Sequence, residues 1–253
     1  MDTRSLIIAS TLIIIPIFIS YKEHLALEKE IIISVLRAVI QLAIVGYILE
    51  RIFGLENPIF TLLIVLIMIV NAAVNTKKRG EGIKNVVKIS FISILLGTSV
   101  TMSVLVVSGA LNFVANEIVP VAGMVVSNAM VAIGISYRNL NNSFKNRREE
   151  VEVKLSLGAD IKEAASGILR ESIKIAIIPT IDSAKTLGIV SLPGMMTGLI
   201  LAGASPLMAI KFQIMVTFMI ISSSSIATMM ATYLSYRAFF NERKQLKNCS
   251  ISK

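Results

Sequence analysis

Arg37 and Gln41 are two of the few polar side chains within the long apolar runs of this chain. They are four residues apart in the run 31–49, so a helix places both on one face. A charged group inside such a run needs a partner, water or the headgroup region of a membrane. The pair therefore predicts a pathway-lining face. The alternative is that the guanidinium of Arg37 reaches the nearby membrane surface.

A second polar feature is the stretch 188–198, which combines small residues with a Pro-Gly pair that interrupts a helix. Interrupted helices in membranes tend to line a pathway or to pack closely on another helix. Close packing is the alternative interpretation. On the first interpretation, the residues that line the pathway are Ser191, Pro193, Gly194, Met195 and Gly198.

Groups that could perform catalysis or drive transport are scarce. No Asp or Glu lies in the middle of an apolar run, which argues against a proton-driven or sodium-driven carrier. The single histidine, His24, and the single cysteine, Cys249, lie in polar stretches, so neither a hydrolase nor a disulfide framework is expected. The phosphate-binding motif G-x-x-x-x-G-K-[ST] is also missing, so a second polypeptide would have to bind any ATP that drives transport.

A metal site is not assigned by the sequence. Several of the twelve methionines could offer thioethers to a soft metal ion, but methionine in so apolar a chain is more typical of packing or lipid contact. The ligands of any metal therefore stay unknown.

Composition shows what surrounds these residues. Of 253 residues 55% are hydrophobic and only 16 are acidic, and the mean hydropathy is +0.77. A water-soluble fold would lack polar residues to cover its surface, whereas a lipid-facing surface needs few. We predict an all-α, polytopic membrane protein with about seven transmembrane helices, from the apolar runs 6–20, 31–49, 58–74, 89–109, 118–135, 186–204 and 212–234.

The basic residues indicate the orientation of the chain. The segments 137–185 and 235–253 hold 14 of the 25 Lys and Arg residues, and most of the others lie in 21–30 and 77–88. Cytoplasmic loops carry this excess, so the N-terminus is predicted outside and the C-terminus inside. We expect one permease domain over 1–236, with a cytoplasmic coupling region at 137–185, and a polar cytoplasmic tail at 237–253.

The coupling region is mixed in charge, with nine basic and seven acidic residues, which does not favour nucleic-acid binding. An apolar or small residue recurs every three or four positions from Val151 to Ala176, as in one amphipathic helix that includes 149–170. That helix either lies on lipid headgroups or docks a cytosolic partner. The stripe consists of Val151, Leu155, Gly158, Ile161, Ala165, Ile168, Ser172 and Ala176.

Several motifs in this order resemble the FetB-type permeases, ATP-binding-cassette transport subunits associated with iron export in bacteria and with aluminium tolerance in plants. The most specific is Leu-Pro-Gly-Met-Met-Thr-Gly at 192–198. The others are Arg37-Ala38 with Gln41-Leu42 and Gly46, Gly123-Met124 with Asn128, Leu157-Gly158-Ala159, Pro179-Thr180-Ile181-Asp182 and Gln213. The resemblance covers about 31–236.

The stretch Glu152 to Gly158 also resembles the E-A-A-x-x-x-G loop by which many such permeases dock on their ATPase, although Val153 and Lys154 replace the two alanines. Together with the amphipathic stripe, it predicts an ATPase docking site formed by Glu152, Leu155, Gly158 and Ile161. Asn128 joins the candidate pathway residues, although Ser127 stands where a smaller residue is expected.

The resemblance implies a multi-pass protein of the cytoplasmic membrane. This protein would form a homodimer with two cytosolic ATPase subunits and would export iron or another metal ion. The chain itself would have no enzymatic activity and no cofactor, since ATP would be bound by the partner. A self-contained secondary carrier or channel for a small solute is the alternative.

Overall fold

The computed structural model describes residues 8–53 and 57–247, and over these ranges the chain is helical with two isolated β-bridges. Five of the described helices are long and apolar enough to cross a membrane. The predicted class, an all-α polytopic membrane protein, is confirmed. The chain divides into two units, Met1–Glu56 and Asn57–Lys253.

The N-terminal unit contains a 3₁₀ turn at Thr11–Ile13 and two helices, α1 (Ile14–Lys22) and α2 (Glu28–Phe53). The Ser20 hydroxyl joins the helices, because it donates to Glu28 at 2.7 Å and accepts from the Leu27 amide at 3.1 Å. The first apolar run forms the shorter helical stretch Ile8–Lys22. At 1.5 Å per residue this stretch is about 22 Å long, less than the ~30 Å hydrocarbon core.

The described part of the larger unit contains seven α-helices, which pack around α5 as the central element. α5 packs against α3, α4, α7 and α9. In chain order the helices are α3 (Pro58–Asn75), α4 (Val86–Val107), α5 (Ala115–Asn146), α6 (Arg148–Ser156), α7 (Ile161–Thr186), α8 (Gly194–Leu201) and α9 (Pro206–Ser235).

Hydroxyl groups hold the centre of this unit together. The Tyr137 hydroxyl lies 3.0 Å from that of Ser90, which accepts from Thr76 at 2.7 Å. Ser136 and Thr232 join α5 to α9 at 2.7 Å. These buried side chains satisfy one another, as polar groups away from water must.

Helices α4 and α9 approach closely at Gly97. A Cβ at this position would lie 3.0 Å from the Ser223 carbonyl and 3.2 Å from the Ala227 side chain. The glycine therefore permits a contact that any larger residue would push apart, as small residues do between membrane helices.

The prediction of a single amphipathic helix over 149–170 is wrong, because the chain forms two helices with a turn between them. α6 ends at Ser156, Gly158 adopts the left-handed conformation with φ +91°, and Asp160 is the N-cap residue of α7. Glycine adopts this φ without steric cost and commonly ends a helix.

Most of the predicted stripe lies inside the larger unit. Val151, Ala165, Ile168, Ser172 and Ala176 are each at most 2% exposed. Residues buried in this way contact neither lipid headgroups nor a cytosolic partner. The periodic spacing of these residues reflects the packing of α6 and α7 within the larger unit.

The run 186–204, predicted as the sixth span, is not one helix. It contains the end of α7, a turn in which Leu187 forms an isolated bridge with Ser191, and the eight-residue helix α8. At about 12 Å, α8 is too short to cross a bilayer by itself. The count of seven spans is therefore not confirmed, although the interruption at Pro193 and Gly194 is present.

Residues 237–247, the described part of the predicted tail, pack against the larger unit. Phe240 and Leu246 are 5% and 8% exposed, and the Phe239 ring stacks on Phe144 at 4.3 Å between centroids. These residues are part of the folded unit and not an extension from it.

The predicted orientation leads to an expected labelling pattern. α5 is about 48 Å long, so it crosses the hydrocarbon core and extends beyond it. In a variant with Cys249→Ser, we expect a membrane-impermeant thiol reagent on intact cells to modify Asn112→Cys before α5. The same reagent should leave Lys145→Cys, near the end of α5, unmodified until the cells are opened. The reverse pattern would invert the assignment.

Candidate functional site

The turn between α6 and α7 is the first candidate site. Two backbone hydrogen bonds close it, from the Gly158 amide to Leu155 and from the Ala159 amide to Lys154, each 3.0 Å long. This is a Schellman arrangement, which requires the positive φ of Gly158. A Cβ atom added to Gly158 would meet no other atom within 4 Å. The turn is thus fixed in shape and open on its outer side.

Ion pairs fix α6 against α7. Arg147 contacts Glu150 at 2.7 Å and reaches Glu171 on α7 at 2.9 Å, while Lys154 contacts Glu150 at 2.6 Å. Arg147, followed by Lys154, lowers the pKa of Glu150 to about 2. Glu150 and Lys154 lie one helical turn apart on α6, whereas Glu171 belongs to α7. The Arg147–Glu171 pair joins the start of α6 to α7, and the other two pairs lie along α6.

The predicted docking residues are not all on the outer side. Leu155 and Ile161 are partly buried against the hydrophobic core. Glu152 pairs with Arg148 at 2.8 Å, and Gly158 lies at the open apex. The exposed apolar side chains here are Val153 and Leu157, at 57% and 83%. The four-residue spacing of these two was a signal that sequence reasoning missed, because the dominant stripe faces inward.

A cavity of about 270 Å³ between α5, α7 and α9 is the second candidate site. Its volume is slightly below the ~300 Å³ at which pockets for drug-sized ligands begin, so it suits a small solute. Proline side chains at positions 179 and 193 and several aliphatic side chains complete the wall. The polar lining consists of amides and hydroxyls, from Asn128, Thr180, Ser183, Gln213 and Thr217.

Gln213 has an unusual environment in this cavity. Its side-chain oxygen Oε1 is buried and accepts no hydrogen bond within the described chain. A buried acceptor without a donor costs about 1–3 kcal/mol. Across the cavity, Asn128 donates its amide to the Met124 carbonyl at 2.8 Å, which leaves its own oxygen as an acceptor. The arrangement can therefore bind a ligand, or water, that supplies hydrogen-bond donors or positive charge.

Of the predicted pathway residues in the larger unit, the structure brings Asn128 and Pro193 together at this cavity. Met195 packs against a second apolar cluster, and Ser191 is exposed in the turn before α8. Gly194 and Gly198 lie one turn apart on α8, and a Cβ atom added at either position would meet no other atom within 4 Å. Arg37 and Gln41 lie one turn apart on α2 of the N-terminal unit.

Thr180, Ser183, Gln213 and Thr217 were not predicted as pathway residues. Pro179-Thr180 and Gln213 were visible only as parts of the family resemblance, and Thr217 follows Gln213 by one helical turn. A polar stripe at the start of the last apolar run was the available signal. Within the described ranges, no group of three or more His, Cys, Asp or Glu side chains could hold a metal ion.

Comparison with known proteins decides the family. The model of the uncharacterised protein family UPF0014 matches residues 3–240, nearly the whole chain. The chain belongs to the UPF0014 family.

UPF0014 relatives in bacteria and plants align over most of their own lengths. The chain is 49% identical to the probable iron export permease protein FetB of Escherichia coli, over 99% of this chain and 96% of that protein. It is 38% identical to the membrane protein STAR2 of Oryza sativa, over 95% and 84% of the respective chains. The Bacillus subtilis membrane protein YjkA is 37% identical, over 98% of this chain and 99% of its own. No solved structure matches the chain significantly.

The UPF0014 membership and the five long apolar helices agree on the nature of the molecule. It is an integral, multi-pass membrane protein. The resemblance to FetB-type permeases, first seen in residues 31–236, is confirmed by these relatives.

Proposed function

We propose that this chain is the membrane-spanning permease subunit of an ATP-binding-cassette transporter that exports iron or another metal ion. A separate cytosolic ATPase drives the transport, and the permease subunit resides in the cytoplasmic membrane. The observation that carries the proposal is the 49% identity, over 99% of the chain, to a protein named a probable iron export permease. The chain itself acts without a cofactor and without nucleic acid.

The α6–α7 turn supports a partner ATPase. A docking element must keep its shape under load and leave room for the partner. The ion pairs of Arg147 and the hydrogen bonds around Gly158 supply the first property. The exposed Val153 and Leu157 offer apolar contact of the kind that forms the centre of an interface.

The cavity at Gln213 supports a pathway for a small solute. Amide and hydroxyl oxygens suit hard, oxygen-liganded cations or hydrogen-bonding complexes of a metal. Neutral oxygens hold such a cargo weakly, and weak binding allows release on the far side of the membrane.

The two exposed glycines of α8 support a homodimer. Gly194 and Gly198 form a G-x-x-x-G pair, which lets two membrane helices approach closely. Each glycine has open space where a neighbouring helix would pack. A second copy of this chain is the partner that we propose for this face.

Co-purification tests the partnership directly. We expect the tagged chain, solubilised in mild detergent, to retain an ATP-binding-cassette ATPase in equal amount. A tagged, unrelated multi-pass protein from the same membranes serves as the control. Purification of the chain free of any such ATPase, in a form that still transports solute, would favour the self-contained carrier or channel.

A further inference from the structure

The residues that follow α9 fold back into a hairpin, here the C-terminal hairpin (residues 239–247). The Asn241 amide donates to the Gln245 carbonyl at 2.9 Å, and the Lys247 amide donates to the Phe239 carbonyl at 2.9 Å. Lys244 adopts a left-handed φ of +59° at the bend. The segment therefore has a defined backbone structure.

Aromatic and aliphatic side chains anchor the C-terminal hairpin to the end of α5. Phe144 stacks on Phe239 at 4.3 Å and meets Phe240 edge to face at 5.8 Å between ring centroids. Leu246 is 8% exposed. Such aromatic pairs stabilise beyond their buried area, so these contacts hold the hairpin against the end of α5.

Polar contacts join the other side of the C-terminal hairpin to the α6–α7 turn. Lys244 contacts the Asp160 carboxylate at 3.1 Å. Asp160 follows Gly158 and Ala159 directly in sequence. Arg148 on α6 donates to the carbonyls of Lys247 at 3.3 Å and Leu246 at 3.4 Å. The hydrogen bond from Lys244 lowers the pKa of Asp160, so this contact stays charged near neutral pH.

A groove of about 1180 Å³ lies between the C-terminal hairpin and the turn. Its lining includes Glu152, Leu155 and Gly158, three of the four residues that the sequence predicts for docking. The opposite wall is formed by the hairpin. The hairpin residues are Asn241, Arg243, Lys244, Gln245, Leu246 and Lys247.

The charges in this groove are unbalanced. Two of its four cations are neutralised within the protein, Arg148 by Glu152 and Lys244 by Asp160. The Lys247 ammonium group donates a hydrogen bond to the Ala238 carbonyl at 2.8 Å, and a neutral carbonyl does not balance its charge. Arg243 is exposed and forms no ion pair within the described chain. The excess of two positive charges fits an acidic partner surface.

We propose that the C-terminal hairpin is the second wall of the ATPase docking groove and that this wall receives an acidic segment of the ATPase. The inference rests on the proposed function, since it needs a cytosolic ATPase at the α6–α7 turn. Arg243 supplies the principal attraction, and the Lys244–Asp160 contact keeps the hairpin aligned with Gly158. The coupling element is then composite, and the Lys244–Asp160 contact within it joins residues 84 positions apart in sequence.

The test uses full-length chain in lipid nanodiscs and the ATP-binding-cassette ATPase that co-purifies with the wild type. We expect Arg243→Glu to weaken ATPase binding by about tenfold or more and Arg243→Lys to change it by less than about threefold. Lys84→Glu, a reversal of another exposed cation that lies outside the groove, is the matched control and should bind normally. The wild-type affinity should also fall more steeply with added salt than that of Arg243→Glu.

The outcomes separate this inference from the proposed function. Normal ATPase binding by Arg243→Glu, with binding lost in Gly158→Leu, would overturn the role of the hairpin and leave docking at the turn. Normal binding by both variants would overturn docking at the turn as well. Failure of the wild type to bind any such ATPase would contradict the proposed function itself.

Discussion

Gln213→Leu is expected to reduce transport by about tenfold or more while leaving the protein as stable as the wild type, or slightly more stable. The reason is that the buried Oε1 of Gln213 makes no hydrogen bond within the described chain. Its removal therefore costs the fold nothing, but it deprives a bound solute of an acceptor. Transport in reconstituted vesicles and the thermal midpoint in detergent measure the two effects.

The control for this prediction is Asn71→Leu, which removes an amide from the exposed surface of α3. Within the described residues, the side-chain oxygen of Asn71 accepts a hydrogen bond only from Asn75 one turn away, and Asn71 does not line the cavity. We expect it to transport normally. If Gln213→Leu transports like the wild type, or if it is markedly less stable, the amide only packs between helices and the pathway lies elsewhere.

Gly158→Leu should abolish assembly with the ATPase, with a loss of at least about tenfold in affinity, and stimulation of ATP hydrolysis should disappear with it. Two physical effects act together. A leucine at φ +91° strains the turn by about 1–2 kcal/mol. It also occupies the open space at the apex where the partner must approach.

A matched variant separates strain from occlusion. Gly109 has a φ of +71°, also has no atom within 4 Å of a built Cβ, and lies in the loop between α4 and α5, on the predicted outer side. Gly109→Leu also forces a leucine into a left-handed φ, so it imposes a comparable backbone strain, and it should assemble normally. Equal loss of assembly in both variants would mean that strain alone is responsible and that the α6–α7 turn is not the docking element.

The sequence predicts those helices whose signal lies within the run itself, and it misses features that depend on contacts with distant residues. The runs 58–74 and 89–109 become helices with nearly those limits, because a continuous apolar run is itself the signal for a membrane helix. The run 118–135 becomes the longer α5, whose polar end at 136–146 is helical because it packs against α7 and the C-terminal hairpin. Tertiary packing of this kind is not visible in hydropathy.

The break at Gly158 shows why a periodic pattern can mislead. The apolar spacing keeps its phase from Val151 and Leu155 across the turn to Ile161, so one helix and two helices give nearly the same stripe. The local signals for two helices were a glycine in the position after a helix end and Asp160 in the position of an N-cap.

The cavity could be predicted only in part. Asn128, Thr180 and Gln213 lie on three helices and about 50 and 30 residues apart in sequence, so their meeting depends on how α5, α7 and α9 pack. Pro193 was found because an interrupted helix has a local signature. Gly194 and Gly198, predicted with it, lie on the exposed face of α8, where we propose that the second copy packs.

ATP-driven iron transport by the reconstituted complex tests the central claim most directly. The chain and its co-purified ATPase are placed in liposomes, with the predicted cytoplasmic side outward, and uptake of labelled iron is followed with and without ATP. We predict uptake only when ATP, the ATPase and this chain are all present. Iron uptake of the same rate by the chain alone, driven by an ion gradient without ATP, would contradict the account.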